Sequence, residues 1–137
     1  MLTGRLILES LQVGKDIEVP GLRVVRVGRH DVTDSTTPSG DRTGSDTPGA
    51  VGDQPRVWTF LDFEAPDELA EELAAAIAEA LSPEFGWWAD FRDSQDHFHL
   101  FANKVFRYRL GDEAGRAESV AYGRAHGTPE HQLDWGP

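Results

Sequence analysis

The sequence predicts a single α+β domain. Its elements run β-β-β-α-β-β-β-α, giving an antiparallel sheet of about six strands with both helices on one face and a short C-terminal helical turn. Three observations carry this. Two-residue alternation of apolar and polar side chains runs through Gly86–Leu110, GWWADFRDSQDHFHLFANKVFRYRL, and side chains that alternate this way stand on opposite faces of strands. An i, i+4 apolar stripe of Leu69, Leu73, Ile77 and Leu81, broadened by Ala76 and Ala80, marks a helix between Pro66 and Ser82. The chain has 137 residues, enough for one modest core and too few for two.

Arg5–Leu11 reads as the first strand, with Leu6 and Leu8 inward, and Leu22–Val27 as the second; Gly14 and Pro20-Gly21 mark turns between them. Thr33–Pro55 is almost entirely Thr, Ser, Gly, Pro and Asp. It lacks the apolar surface needed to offset the entropy of ordering it, so residues 33–55 are expected to form a disordered insertion in the 1–137 domain. Arg56–Glu64 resumes as a strand with β-branched and aromatic residues. The first helix starts at Pro66-Asp67 and stops at Ser82-Pro83. Gly111-Asp112 opens a second helix over Glu113–His126, whose packed side (Ala114, Ala117, Val120, Ala121) is small enough for close approach to the sheet. Gly127 is a C-terminal cap, and Thr128-Pro129 starts a final turn that folds Leu133 and Trp135 back onto the body.

Composition narrows the function classes. The formal charge is −11, from 13 basic and 24 acidic residues, and residues 57–91 hold nine acids and no Lys or Arg. Such a surface repels nucleic-acid backbones and anionic membranes, so neither is expected as a partner. With no Cys there is no disulfide, thiolate metal site or cysteine nucleophile. No apolar run approaches the roughly 20 residues of a bilayer span, and the N-terminus lacks a signal-peptide pattern, so a cytoplasmic location is expected.

Within the alternating stretch, one side (Trp87, Ala89, Phe91, Phe98, Leu100, Phe106, Tyr108) reads as core. The other side (Trp88, Asp90, Arg92, His97, His99, Phe101, Val105, Arg107, Arg109) mixes rings, imidazoles and both charge signs, which singles it out for function. A four-residue turn, Asp93–Asp96, places Asp90 opposite His99 and Arg92 opposite His97. A three-residue loop, Ala102-Asn103-Lys104, then places Arg107 opposite His99 and Arg109 opposite His97, giving a row Asp90–His99–Arg107 of interacting neighbours. A shift of one residue would move a whole strand to the other face.

Three chemistries fit this row. His99, oriented by Asp90 and with Arg107 holding an anionic substrate, is a candidate acid–base group. His97 and His99 with Asp90 are candidate ligands for a divalent metal, opposed by the positive charges of Arg92, Arg107 and Arg109. Trp88, Phe101, Arg107, Arg109 and, from the third strand, Trp58 with Phe60 are candidate contacts for a protein partner, because Trp, Phe and Arg dominate interface energy. Against all three stands a solvated face, or one closed off by Trp135. His126 reads as a last-turn cation favoured by the helix dipole, His131 as a surface residue in the Pro129 turn, and His30 adjoins the expected disordered loop. Phosphate-loop, HExxH and GxSxG patterns are absent, and no cofactor is implied. The expectation is therefore a small acidic accessory or protein-binding protein, in the manner of an immunity protein or antitoxin and non-enzymatic. The alternative is an enzyme or small-ligand binder around Asp90, His99 and Arg107.

Trp87–Arg92, Lys104–Arg109, Gly123–Trp135 and, more loosely, the Gly4-Arg5-Leu6 start resemble a family of small proteins from high-GC Gram-positive bacteria. The resemblance implies no activity and lends no catalytic residue.

Overall fold

The structure, a computed structural model, describes residues 1–33 and 54–137; most of the 33–55 insertion therefore lies outside the described residues. One antiparallel sheet of six strands is built from β1 (Leu2–Ile7), β2 (Arg23–Asp31), β3 (Val57–Ala65), β4 (Ala89–Arg92), β5 (Asp96–Phe101) and β6 (Lys104–Arg109), in the spatial order β2-β3-β1-β4-β5-β6. Among the described residues the α-helices of four residues or more are α1 (Ala70–Ala80) and α2 (Glu113–Ala125), and a short 3-10 turn over Glu130–Gln132 supplies the expected C-terminal turn. The α+β class and the element order agree with the sequence reading. The first strand starts earlier than expected and stops at Ile7, because Leu8–Ser10 forms a 3-10 turn.

The first face of the sheet carries Leu2, Leu6, Phe63, Phe91, Phe98 and Leu100, all buried against Leu73, Ala74 and Ile77 of α1. Each large apolar side chain buried this way contributes about 1.5–3 kcal/mol. Arg107 also reaches this side: its guanidinium lies 5.1 Å from the Phe98 ring centre and pairs with Glu71 of α1 at 2.6 Å and Asp96 at 2.7 Å.

The two helices do not share a face. Phe98 and Leu100 lie under α1, so His97, His99 and Phe101 point to the opposite side, where Phe101, Leu133 and Trp135 form a second core with Phe106, Val120 and Tyr122. The cause is one turn. Ala102-Asn103 is a two-residue connection, with Phe101 paired to Lys104 and Asn103 at φ 57°. The Asn103 amide donates to the Ala78 carbonyl at the end of α1, which anchors the turn. This register pairs Phe106 with His99 and Tyr108 with His97. Phe106 and Tyr108 are thus added to the second face, and Arg107 and Arg109 are removed from it. The second face becomes apolar enough to need covering, and α2 covers it. Small residues admit the helix: a Cβ on Gly115 would stand 2.4 Å from the Cβ of Tyr108, and one on Gly123 would stand 3.2 Å from Phe101, Leu133 and Trp135.

Asp112 caps α2 by accepting from the Ala114 and Gly115 amides. Gly127, at φ 92°, turns the chain across Gly86 so closely that a Cβ on Gly86 would overlap the Gly127 carbonyl; the Thr128 hydroxyl donates to the Gly86 carbonyl. The tail is thereby tied to the loop before β4. Gln54 strengthens the tie: buried, it donates to the Phe85 carbonyl and accepts from Gln132. Among the described residues no helix is long and apolar enough to cross a membrane.

Candidate functional site

The second face divides in two. Over β4, β5 and β6 it is roofed by α2 and the tail, and all six residues of β5 are buried. Over β1 and β3 it carries Arg5, Ile7, Trp58 and Phe60, and there the tail residues His131, Gln132 and Asp134 form one wall of a cleft of about 250 Å³. Trp87, Trp88 and Asp90 complete it.

Under the roof, His99 is fully buried and stacked on the Trp135 indole at 3.8 Å between ring centres, with the Trp88 ring centre 4.9 Å from each of them. Neither ring nitrogen of His99 has a hydrogen-bond partner among the described residues. Burial pushes the imidazole down to about 3, against the opposing pull of Asp90. His97, also fully buried, is held at both ends: Nε2 lies 2.8 Å from Asp90 Oδ2 and Nδ1 lies 3.1 Å from the Tyr108 hydroxyl. One arrangement satisfies every atom: Nε2–H donates to the carboxylate and the Tyr108 O–H donates to Nδ1. Burial disfavours the Asp90 carboxylate, but the His97 hydrogen bond and nearby positive charge, Arg92 included, outweigh it and hold the carboxyl below its ordinary value. The Asp90 side chain keeps about 32% of its surface exposed, and it is the one member of the Asp90, His97 and His99 group that lines the cleft.

The hairpin expectation for β4 and β5 holds: Asp90 pairs with His99 and Arg92 with His97. The row Asp90–His99–Arg107 does not form, because Phe106 stands opposite His99 and Arg107 has turned to α1. His99 is fully buried against Trp135 and Trp88, so it cannot pass a proton to a substrate, and Arg107 cannot hold one there. Of the candidate contact residues, Phe101 is buried in the second core and Trp88 is half-buried, its Nε1 donating to Gln132. Arg109 is exposed on the first side with Gln95 and Asp96. Trp58 lies in the cleft with Phe60, on the same face as Asp90. His97 and His99 come together with Asp90 as the metal reading requires, their ligand atoms all within 4.8 Å. Tyr108, Arg5, Gln132 and Asp134 were not singled out from the sequence. Asn103, a residue that accepts positive φ, was the available signal for the shorter turn that brings Tyr108 in.

No family model, curated protein or solved structure matches the chain. The geometry alone therefore carries the functional reading.

Proposed function

We propose that this protein binds a small, flat ligand in the cleft, with a protonated amine or another N–H donor of that ligand on Asp90. The observation that carries this is a part-exposed carboxylate in a wall of aromatic rings. Asp90 Oδ2 is taken by His97, and its other oxygen makes no hydrogen bond to another described residue. Phe60 and Trp88, both part-exposed and backed by the buried Trp58 and Trp87, offer ring surface for stacking and for a cation. Arg5 already uses this property: its guanidinium lies 4.7 Å from the Phe60 ring centre, neutralised by Asp62 at 2.6 Å. The net charge of −11 attracts a cation and repels an anion. A volume of about 250 Å³, just under the usual range of ligand pockets, limits the ligand to a small one.

This reading is preferred to a protein contact because the contact reading needed Trp88, Phe101 and Arg107 on one open face, and the three are now divided between two covered sides. It keeps the expectation of a cytoplasmic protein that engages neither nucleic acid nor membrane.

Titration of the indole fluorescence tests it. Arylmethylamines are expected to saturate the signal, and alcohols and carboxylates of the same shape are not. Asp90→Asn is expected to weaken the amine at least tenfold, as about 1.4 kcal/mol of charge-assisted bonding would give. Equal binding of the carboxylate, or an unchanged affinity in Asp90→Asn, rejects the reading.

A further inference from the structure

The geometry points to a divalent metal site of zinc class formed by Asp90, His97 and His99, lying beneath the cleft. The starting observation is His99. Both of its ring nitrogens are buried and unpartnered, and native proteins seldom leave a buried imidazole in that condition. The protein spends two indoles holding this ring in place, where a phenyl ring would pack as well. Something that accepts a nitrogen lone pair explains why the ring is histidine.

Two further donors stand within reach. An Asp90 oxygen and a His97 nitrogen join a His99 nitrogen in a group whose members all lie within 4.8 Å of one another. Two imidazoles and one carboxylate are a donor set that borderline divalent ions favour, and three protein ligands leave a fourth position for water. His97 is arranged as a ligand of such an ion. With Nε2 turned to the metal in place of its proton, Nδ1–H donates to the Tyr108 oxygen, and the Tyr108 hydroxyl has the Gly136 carbonyl as its own acceptor at 3.4 Å. A metal-bound histidine is commonly fixed through its second nitrogen in this way.

The charges around the site permit an ion. The one-residue difference in the β5–β6 turn sends Arg107 and Arg109 to the other side of the sheet, where Asp96 and Glu71 neutralise them. Arg5, Arg92 and Arg116 remain on the second face; Arg5, opposite Asp90, is neutralised by Asp62, and the Arg116 Nε donates to the Trp135 carbonyl. Entry runs through Asp90 at the cleft wall. The site shares Asp90 with the cleft, but His97 and His99 do not line the cleft, so the metal is tested with no amine present.

The test is a titration of chelator-treated protein with Zn²⁺ by calorimetry and with Co²⁺ by visible absorption. One ion per chain is expected, with micromolar or tighter affinity and the intense d–d bands of a four-coordinate cobalt site. His99→Phe keeps a ring against Trp135 and Trp88, so the fold is retained, as circular dichroism will verify, and affinity is expected to drop by about 100-fold or more. Tyr108→Phe removes only the bond that orients His97 and is expected to cost about tenfold. His30→Ala and His126→Ala, both outside the cleft, are expected to change nothing. Absence of one-to-one binding in the folded wild type overturns the proposal and leaves a buried water as the partner of His99. Equal losses in His99→Phe and His126→Ala overturn it too, because they assign the ion to the surface. None of these readouts involves the amine, so the cleft reading fails or stands separately.

Discussion

The two faces of the sheet are built from different chemistry. The first is an aliphatic and phenyl core closed by α1: Leu2, Leu6, Leu73, Ile77, Phe91, Phe98 and Leu100 need only to fit. The second is closed by α2 and the tail over rings that carry polar atoms: Trp88, His97, His99, Tyr108 and Trp135. Each of those atoms requires a partner once buried, and most have one. Trp88 donates to Gln132, Trp135 to Ser119, and His97 bonds at both ends. A core of hydrocarbon is selected for packing alone; a core of indoles and imidazoles also fixes orientation, and His99 is the place where that requirement is left unmet by protein atoms.

The contrast is sharpest if both faces carry the fold. Trp135→Ala removes the ring that stacks on His99 and packs with Phe101, and Phe98→Ala removes the ring that stacks on Phe91 at 4.7 Å. Each is expected to cost about 3–5 kcal/mol in urea unfolding. A cost below about 1 kcal/mol for Trp135→Ala would mean that the tail is an appendage and that the second face is not a core.

The faces should also differ in their response to acid. His99 sits near 6.5 in the unfolded chain and is driven by burial to about 3 in the folded one. Between those values the unfolded chain binds a proton that the folded chain does not. Stability of the metal-free protein is therefore unaffected by His99 above pH 6.5 and falls as the pH is lowered from there toward 3, by up to about 1.4 kcal/mol per pH unit. Asp90, held below its ordinary value, adds a loss at the acid end of the same range. Denaturant midpoints measured with chelator from pH 8 to pH 4 check this. His99→Phe should flatten the slope between pH 6.5 and pH 5, and an unchanged slope would assign the acid sensitivity to other groups.

How far the sequence disclosed this arrangement depends on which signal was read. Alternation placed Phe91, Phe98 and Leu100 on one side and Asp90 with His97 and His99 on the other, and the pairing of Asp90 with His99 followed from the hairpin length. Both helices and the returning Trp135 were legible from periodicity, caps and the Thr128-Pro129 start. The side of the sheet that α2 takes was not. It depends on the register of β6, which rests on a single residue of turn length, and local alternation is equally satisfied by either register. The two-residue turn is preferred in the folded protein because the Ala78 carbonyl bonds the Asn103 amide and because Phe106 and Tyr108 find partners under α2. These are tertiary contacts with no trace in the local pattern. The cleft was half legible: Trp58, Phe60 and Asp90 were named, whereas Arg5, Gln132 and Asp134 arrive from segments whose placement only the fold decides.

The smallest expected effect separates the registers most cleanly. Arg107 was a candidate for substrate or partner binding when placed opposite His99; in the fold it is a half-exposed residue that ties β6 to α1 through Asp96 and Glu71. Glu71 is largely solvated, and Asp96, though buried, keeps Arg109 at 3.6 Å when Arg107 is removed. Arg107→Ala is therefore expected to cost no more than about 1 kcal/mol, in line with exposed ion pairs, and to leave amine and metal affinities unchanged. A tenfold loss of either affinity would mean that Arg107 reaches the second face after all, that the loop after β5 has three residues, and that Tyr108 is not the partner of His97. Because one substitution reports on register, helix placement and the outer partner of His97 together, a null result on binding with a small loss of stability would support all three at once.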